Sequence, residues 1–198
     1  MMTRYYKFLL LTLMSVLVLS KNELVAQEEE QRESKAEIFT AKNSVFVETL
    51  WPSFSYSLNY GRIFYQIGKL KLSARAGFSL LYNSRTEPTS SYWAPFIPFE
   101  LTGFWGKSKH HLELGLGFFA IRNRRYFFDE DFPNNIREEP YWGKTLVPRI
   151  GYRYQKPEGG FFIAGGYTPT FSIENLEGGA ENGEFNPFGL SISLGLSF

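Results

Sequence analysis

The chain has 198 residues, a formal net charge of +1 and no cysteine. Its length favours one domain, and the lack of cysteine excludes disulfides, thiolate metal sites, cysteine nucleophiles and a lipoprotein anchor. A nearly neutral chain also lacks the basic character expected of a nucleic-acid partner. Twenty Phe, twelve Tyr and eighteen Gly favour sheet over helix, because aromatic side chains suit a pleated surface and glycine weakens helices.

Residues 1–26 predict a secretory signal peptide. Arg4 and Lys7 precede an apolar stretch over residues 8–19, which is short of the ~20 residues that a membrane-spanning helix needs. Residues 27–42 follow with five glutamates and predict an acidic, mobile tail. The remaining residues, 43–198, are predicted to form a single β-domain.

The last eleven residues alternate strictly. Every even position from Phe188 to Phe198 is apolar, and every odd position between them is Gly or Ser. Because successive strand side chains point to opposite faces, this segment is a strand with one apolar face and one face of very small residues. Its length fits a tilted strand of ~9–11 residues that crosses a membrane, and the small residues indicate a narrow, crowded interior.

Seven earlier segments share this alternation, which predicts eight strands in all. The predicted strands cover residues 44–51, 54–64, 70–80, 96–105, 111–121, 145–154, 161–168 and 188–198. The connections 66–69, 106–109 and 155–160 are short, whereas 82–95, 122–144 and 169–187 are long. The short connection 51–53 is the exception to this asymmetry.

These features resemble the small eight-stranded outer-membrane barrels of Gram-negative bacteria, the OmpA/OmpX-type transmembrane domain and its OmpW-like relatives. The stretches 56–60, 111–117 and 151–154 and the terminal Phe198 contribute to the resemblance. It implies an all-β, antiparallel, up-and-down transmembrane barrel with short periplasmic turns, longer extracellular loops and both termini in the periplasm. It further implies a monomer that contacts outer-membrane lipid and is recognised by the barrel-assembly machinery through Phe198.

A soluble up-and-down barrel such as a lipocalin is the alternative fold. Such a barrel would fill its interior with apolar side chains or an apolar ligand, whereas the pattern here places apolar residues outside and polar ones inside. Tyr and Trp near the predicted strand ends also fit two interfacial belts. The loop-end belt comprises Trp51, Tyr92, Trp93, Tyr141 and Trp142, and the turn-end belt comprises Tyr65, Trp105 and Tyr154.

Charged residues of both signs fall on the predicted inward face. They are Glu48, Lys71, Arg75, Glu100, Glu113, Arg149 and Arg153. Because an isolated charge inside a barrel costs several kcal/mol, these groups are expected to pair with one another. An eight-stranded barrel is just wide enough for side chains to fill, which favours a closed interior. A narrow channel or small-ligand binder remains the alternative.

Three arginines, Arg122, Arg124 and Arg125, lie just beyond the lipid-facing part of the fifth predicted strand. Arginine pairs bidentately with phosphate, so this group is a candidate contact for lipopolysaccharide. A solvated loop balanced by nearby carboxylates explains the same residues equally well. Those carboxylates are Asp129, Glu130, Asp131, Glu138 and Glu139.

The case for an enzyme is weak. Some small outer-membrane barrels modify lipid with His and Ser at the outer-leaflet end, but His110 and His111 directly follow a short turn that the predicted topology places in the periplasm. Glu100 and Glu113 are candidates for paired acid–base work, yet ion pairs with arginine account for them more simply. No catalytic, cofactor-binding or metal-binding residue is predicted, and the expected role is structural or in surface interaction.

Overall fold

The computed structural model describes residues 36–51, 55–86, 89–128, 136–173 and 185–198. The predicted signal peptide, 1–26, and residues 27–35 of the predicted tail lie outside these ranges. The unit considered below is Glu37–Phe198. Its ten described strands are β1 Asn43–Trp51, β2 Ser55–Ile67, β3 Leu70–Asn83, β4 Tyr92–Trp105, β5 His110–Phe128, β6 Ile136–Gln155, β7 Gly160–Tyr167, β8 Thr170–Ser172, β9 Phe185–Asn186 and β10 Leu190–Ser197. In this described part, no helix is long and apolar enough to span a membrane.

The strands form one antiparallel sheet that closes on itself. β1 pairs with β2 on one side and with β10 on the other, from Ser44↔Ser197 to Trp51↔Leu190. β10 then pairs with β7, β7 with β6 and β6 with β5, and the ring returns through β4, β3 and β2. This ring-like closure confirms the predicted all-β, antiparallel barrel architecture.

The pairing of β6 with β7 and then with β8 is interrupted near two prolines. β6 pairs with β7 through Ile150 and with β8 from Leu146, and neither ladder includes Pro148. Pro169 separates β7 from β8 along the chain, and proline cannot donate to a ladder hydrogen bond. β9 pairs only with β8, so this small hairpin extends the sheet beside β6. The predicted seventh and eighth strands therefore correspond to β7 and β10, whereas the short strands β8 and β9 lie within the predicted loop 169–187.

Strands β5 and β6 are longer than the alternation predicts. Their pairing continues to Phe128↔Ile136, so most of the predicted loop 122–144 is a β-hairpin. The alternation of apolar and polar residues does not predict this extension, because its residues extend past the apolar outer face of the barrel. Likewise, β4 begins at Tyr92 and β3 ends at Asn83, which shortens the predicted loop 82–95.

The two faces of the sheet are inverted relative to a water-soluble barrel. On β10, Leu190, Ile192, Leu194 and Leu196 are about half exposed, whereas the intervening serines are buried. The other ring strands also expose Leu, Ile, Phe and Tyr on the outside, and their inward positions combine charged and small polar residues with some buried aromatic ones, such as Phe46, Phe104 and Phe162. Water-soluble proteins bury the former and expose the latter.

Three tight turns lie at one end of the barrel, here called the turn end, and the opposite end is the loop end. The turns follow β2, β4 and β6. Gly68 in the first turn has φ +51°, a left-handed conformation that glycine adopts without steric cost. The second and third turns, together with Gln66 near the end of β2, provide the attachment points for the segment that precedes β1.

Candidate functional site

The register of the strands brings charged side chains from four strands to the centre of the barrel. Arg75 on β3 lies directly opposite Glu100 on β4. Glu48 on β1 lies opposite Ser193 on β10, and Arg149 on β6 lies opposite Gly115 on β5. Since all four charged residues point inward, they meet across the lumen.

Glu48, Arg75, Glu100 and Arg149 form a closed quartet in which each arginine contacts both glutamates. Arg75 donates to both carboxylate oxygens of Glu48 and, over 2.7 Å, to Glu100. Arg149 donates to both oxygens of Glu48 at 3.0 Å, and its Nε donates to Glu100 at 3.1 Å. Alternating signs let every charge face two opposite charges, which offsets the cost of removing them from water.

Neutral hydroxyls complete the coordination of the quartet. Ser193 donates to Glu48 over 2.7 Å, Thr102 donates to Glu100 over 2.7 Å, and Ser191 accepts from Arg149 over 2.5 Å. Gly115 supplies the room for one carboxylate, since a Cβ there would lie 2.8 Å from an oxygen of Glu100. The small residues on the inward face thus make space for the long charged ones.

A second ion pair lies beside the quartet. Arg153 donates to Glu113 over 2.6 Å and to the side-chain oxygen of Gln155 over 3.1 Å. Its guanidinium lies over the rings of Phe104 and Phe162, at 4.6 and 4.8 Å from their centroids. With this pair, the three arginines and three glutamates of the predicted interior set balance in charge.

Lys71 belongs to the predicted interior set but lies apart from these six residues, near the turn end. Its ammonium donates to the backbone oxygen of Gly106 at 2.5 Å and lies 3.5 Å from the His111 ring nitrogen Nε2. It also lies 5.0 Å from the centroid of the Phe39 ring. In the described part of the chain, its ammonium therefore donates hydrogen bonds to backbone oxygens and not to carboxylates.

Residues 37–41, called here the plug segment, close the turn end. Glu37 donates its N–H to the oxygen of Lys107 in the β4–β5 turn. Thr40 and Ala41 both donate to Pro157 in the β6–β7 turn, and Gln66 of β2 accepts from Phe39. The sequence places this segment in the acidic tail, but here its backbone is bound to three parts of the barrel.

The side chain of Phe39 fills the lumen behind the plug segment. It is fully buried and packs edge-on against Phe104 and His111, with ring centroids 5.9 and 5.4 Å away. Ile63 completes this apolar cluster. The acidic composition of the tail does not predict this role, although the pair Ile38-Phe39 in an otherwise largely polar stretch is the signal that could suggest it.

The interior leaves little free space near the quartet. The cavity beside Glu48, Arg75, Glu100 and Arg149 has a volume of about 20 Å³. That is close to the space one water molecule occupies and far below the ~300 Å³ at which small-molecule sites begin. The space beside the quartet is therefore too small for an organic ligand.

The three rim arginines do not form one cluster. Arg124 donates to Glu138 over 2.7 Å and to Ser90 over 3.1 Å, and its guanidinium lies 4.8 Å from the Tyr92 ring centroid. Arg125, next along the strand and so on its opposite face, lies over the ring of Tyr141.

Arg122 is exposed on the same face of β5 as Arg124, and no hydrogen bond or ion pair joins its side chain to other parts of the described chain. The hydrogen bonds from Ser90 and Arg124 hold the pKa of the Glu138 carboxyl below its usual value. These hydrogen bonds therefore favour the carboxylate form of Glu138, which pairs with Arg124.

The two histidines make packing contacts. His111 is buried between Phe39 and Phe104, and the ring of His110 lies against Tyr152 and Tyr154. Glu100 and Glu113, the carboxylates considered for acid–base work, are each bonded to arginine. Among the described residues, no group of three or more His, Asp or Glu is placed to hold a metal ion.

Comparison with known proteins shows a similarity in structure but none in sequence family. No protein-family model matches the chain, and no curated protein matches its sequence. Among solved structures, the chain is similar to the crystal structure of the N-terminal β-barrel domain of Pseudomonas aeruginosa OprF, with a TM-score of 0.45 and 11% identity over 79% of this chain and 96% of that one. Because the TM-score is below 0.5, the assignments that follow rest on strand pairing and side-chain contacts.

Replacing Glu48 with Gln should destabilise the barrel strongly. The substitution removes one of the two carboxylate partners of Arg75 and one of the three of Arg149, and breaking a buried ion pair costs about 3–5 kcal/mol. Urea titration of the refolded protein measures the change in the free energy of unfolding.

Glu139→Gln is the matched control for that change, since it removes a carboxylate from an exposed pair with Arg137. Its effect should stay within about 1 kcal/mol. Equal effects of the two substitutions would contradict the proposed contribution of the quartet to the stability of the barrel.

Replacing Phe39 with Ala should cost about 3–5 kcal/mol, because it empties a fully buried site inside the turn end. The neighbouring Ile38 is 77% exposed, so Ile38→Ala should change stability by no more than about 0.5 kcal/mol. The same urea titration compares the two variants. If they unfold alike, Phe39 does not hold the plug segment in place.

Proposed function

We propose that this chain is an integral outer-membrane β-barrel whose role is structural or in surface interaction. In this proposal the ring strands β1–β7 and β10 are eight membrane-spanning strands around a polar, ion-paired and closed interior. The observation that carries the proposal is the inverted distribution of side chains, with apolar residues on the outer wall and balanced charges within.

The outer wall is too apolar to face water. Exposed large apolar side chains line every ring strand, whereas soluble monomers rarely expose a contiguous apolar patch larger than a few hundred Å². On neighbouring strands they lie side by side, for example Leu101 next to Leu116 and Phe99 next to Phe118. Lipid acyl chains are the environment that such a surface requires.

The height of this wall agrees with a bilayer. Outward residues of β4 begin with Trp93 and end with Trp105, and Ile97, Phe99 and Leu101 lie between them. Twelve residues at ~3.3 Å each span about 40 Å along the strand, or about 30 Å along the barrel axis at a tilt of ~40°. A hydrocarbon core is ~30 Å thick, and Trp prefers its two interfaces.

One residue of the predicted belts, Tyr92, is placed differently from the exposed ones. Trp93, Trp105, Tyr65 and Trp142 are exposed on the outer wall as an interfacial belt requires. Tyr92 is buried, because it points inward and its hydroxyl accepts the N–H of Arg124. The belt at the loop end is therefore formed by Trp side chains and not by Tyr92.

The sealed interior supports a structural role over a channel. The quartet crosses the lumen at its centre, and Phe39 fills it at the turn end. A solute would have to displace both. An eight-stranded barrel of this kind holds side chains and not a water column.

Orientation and partners are part of the proposal. The tight turns would face the periplasm together with both termini, and the β5–β6 hairpin would project from the cell surface near lipopolysaccharide. Phe198, exposed at the seam where its backbone bonds reciprocally with Asn43, would be recognised by the barrel-assembly machinery. The chain would act as a monomer, since closure leaves no open edge between β1 and β10.

Replacing Leu116 with Arg tests the membrane assignment. Leu116 is 55% exposed near the middle of the proposed apolar wall. In a bilayer, Arg at this depth should lower the free energy of unfolding by about 2–4 kcal/mol, whereas a surface Leu of a soluble protein would tolerate it within about 0.5 kcal/mol. The measurement is urea unfolding of protein refolded into phospholipid vesicles.

Ile38→Arg is the control, because Ile38 is exposed on the plug segment outside the wall. It should leave stability in vesicles unchanged. Should the chain fail to fold into vesicles, or should Leu116→Arg be as harmless as Ile38→Arg, the membrane assignment would be wrong.

A further inference from the structure

A notch opens at the loop end between β4 and β5. The β4–β5 ladder stops at Phe96↔Ile121. The β3–β4 ladder continues to Tyr92, and the β5–β6 ladder continues to Phe128. Two strand extensions therefore rise side by side without pairing, and the gap between them is the feature called here the rim notch.

The rim notch encloses a cavity of about 380 Å³. Its lining includes Trp93, Pro95, Arg122, Arg124, Glu138 and Pro140. The volume lies within the ~300–1,000 Å³ typical of small-molecule sites and suits one polar head group better than a long acyl chain. This cavity is also far larger than the one beside the central quartet.

The walls of the rim notch differ in chemistry. β4 contributes Trp93 and Pro95, which present an apolar surface, and Trp93 is 60% exposed. On the β5–β6 side, Arg124 and Glu138 neutralise each other through a 2.7 Å ion pair. Arg122 is exposed and unpaired within the described residues, so it gives this pocket a single uncompensated positive charge.

The position of Arg122 relates the pocket to lipid. On β5 the outward positions run Leu112, Leu114, Leu116 and Phe118, and two further steps of the same alternation reach Arg122. The guanidinium therefore lies directly above the apolar wall, where the proposed function places lipid head groups. Arginine there is suited to a phosphate, which it can bind with two parallel hydrogen bonds.

We propose that the rim notch binds the phosphorylated head group of an outer-leaflet glycolipid such as lipopolysaccharide. Arg122 pairs with the phosphate, Trp93 and Pro95 contact the sugar, and the acyl chains descend over Ile97 and Phe118. Arg124 and Glu138 shape the pocket and do not supply its charge. This inference rests on the proposed membrane location and assigns to one residue the contact that the sequence distributes over three.

The test compares lipid retention by the wild-type chain, Arg122→Gln and Arg137→Gln. Arg137 lies on the same hairpin but is paired with Glu139 and does not line the cavity, so it is a charge-matched control. Each protein is refolded into phosphatidylcholine nanodiscs, doped with diphosphorylated lipid A, and bound lipid A is counted by native mass spectrometry. Inorganic phosphate at millimolar concentration serves as the competitor.

Loss of one charge-assisted pair should weaken lipid A binding about tenfold in Arg122→Gln. Arg137→Gln should bind as the wild type does, and inorganic phosphate should not displace the lipid. Unchanged binding by Arg122→Gln, or an equal loss in Arg137→Gln, would overturn the proposal. Displacement by phosphate would show that the pocket holds a free anion instead.

Folding is checked in each variant by its heat-dependent migration in SDS, so a loss of binding is not mistaken for misfolding. A wild-type chain that inserts into nanodiscs yet shows no preference for lipid A would end this inference and leave the membrane barrel intact. A wild-type chain that does not insert would end both.

Discussion

The fold depends on pairing charges inside a barrel whose outer wall is apolar. With leucine, isoleucine and aromatic side chains outside, the inward positions of the strands carry the polar groups. Glu48, Arg75, Glu100 and Arg149 satisfy that condition together, because each arginine contacts both carboxylates. Four different strands contribute to this quartet, so it links opposite walls of the cylinder in a way that ladder hydrogen bonds between neighbours cannot.

This arrangement also defines what the interior does. A carboxylate bonded to two guanidinium groups and a hydroxyl has little capacity left for a substrate, as Glu48 illustrates. Phe39 excludes water at the turn end in a different way, by apolar packing. In the proposed function the interior stabilises and closes the barrel, and contacts with partners are left to the rim, where Arg122 and Trp93 lie exposed.

The sequence predicts much of this fold because strand alternation is a local property. Leu190, Ile192 and Leu194 alternate with serines, and that pattern alone assigns the outer and inner faces correctly. It also places the six members of the charge network on the inward face. It cannot determine which arginine meets which glutamate, because that depends on register between strands far apart in sequence. Glu48 and Arg149, for example, are 101 residues apart.

Features that depend on backbone contacts were less predictable. The plug segment has no alternation, and its attachment to Lys107 and Pro157 arises only once the turns are assembled. The β5–β6 hairpin is polar, so composition predicts a loop where cross-strand hydrogen bonds produce strands. Lys71 lies at an inward-facing position in the alternation of β3. Its distance along the strand from Arg75 nevertheless places it at the turn end, outside the charge network.

The most direct test of the inverted wall is a spin-label scan along β10. The chain has no cysteine, so single cysteines at Leu190, Ile192, Leu194 and Leu196 can be labelled cleanly in vesicles, with Phe188 as a position outside the strand. The account predicts that labels at 192 and 194 collide with dissolved oxygen and are shielded from a water-soluble nickel complex. Equal access of the nickel complex to 192, 194 and 188 would contradict it.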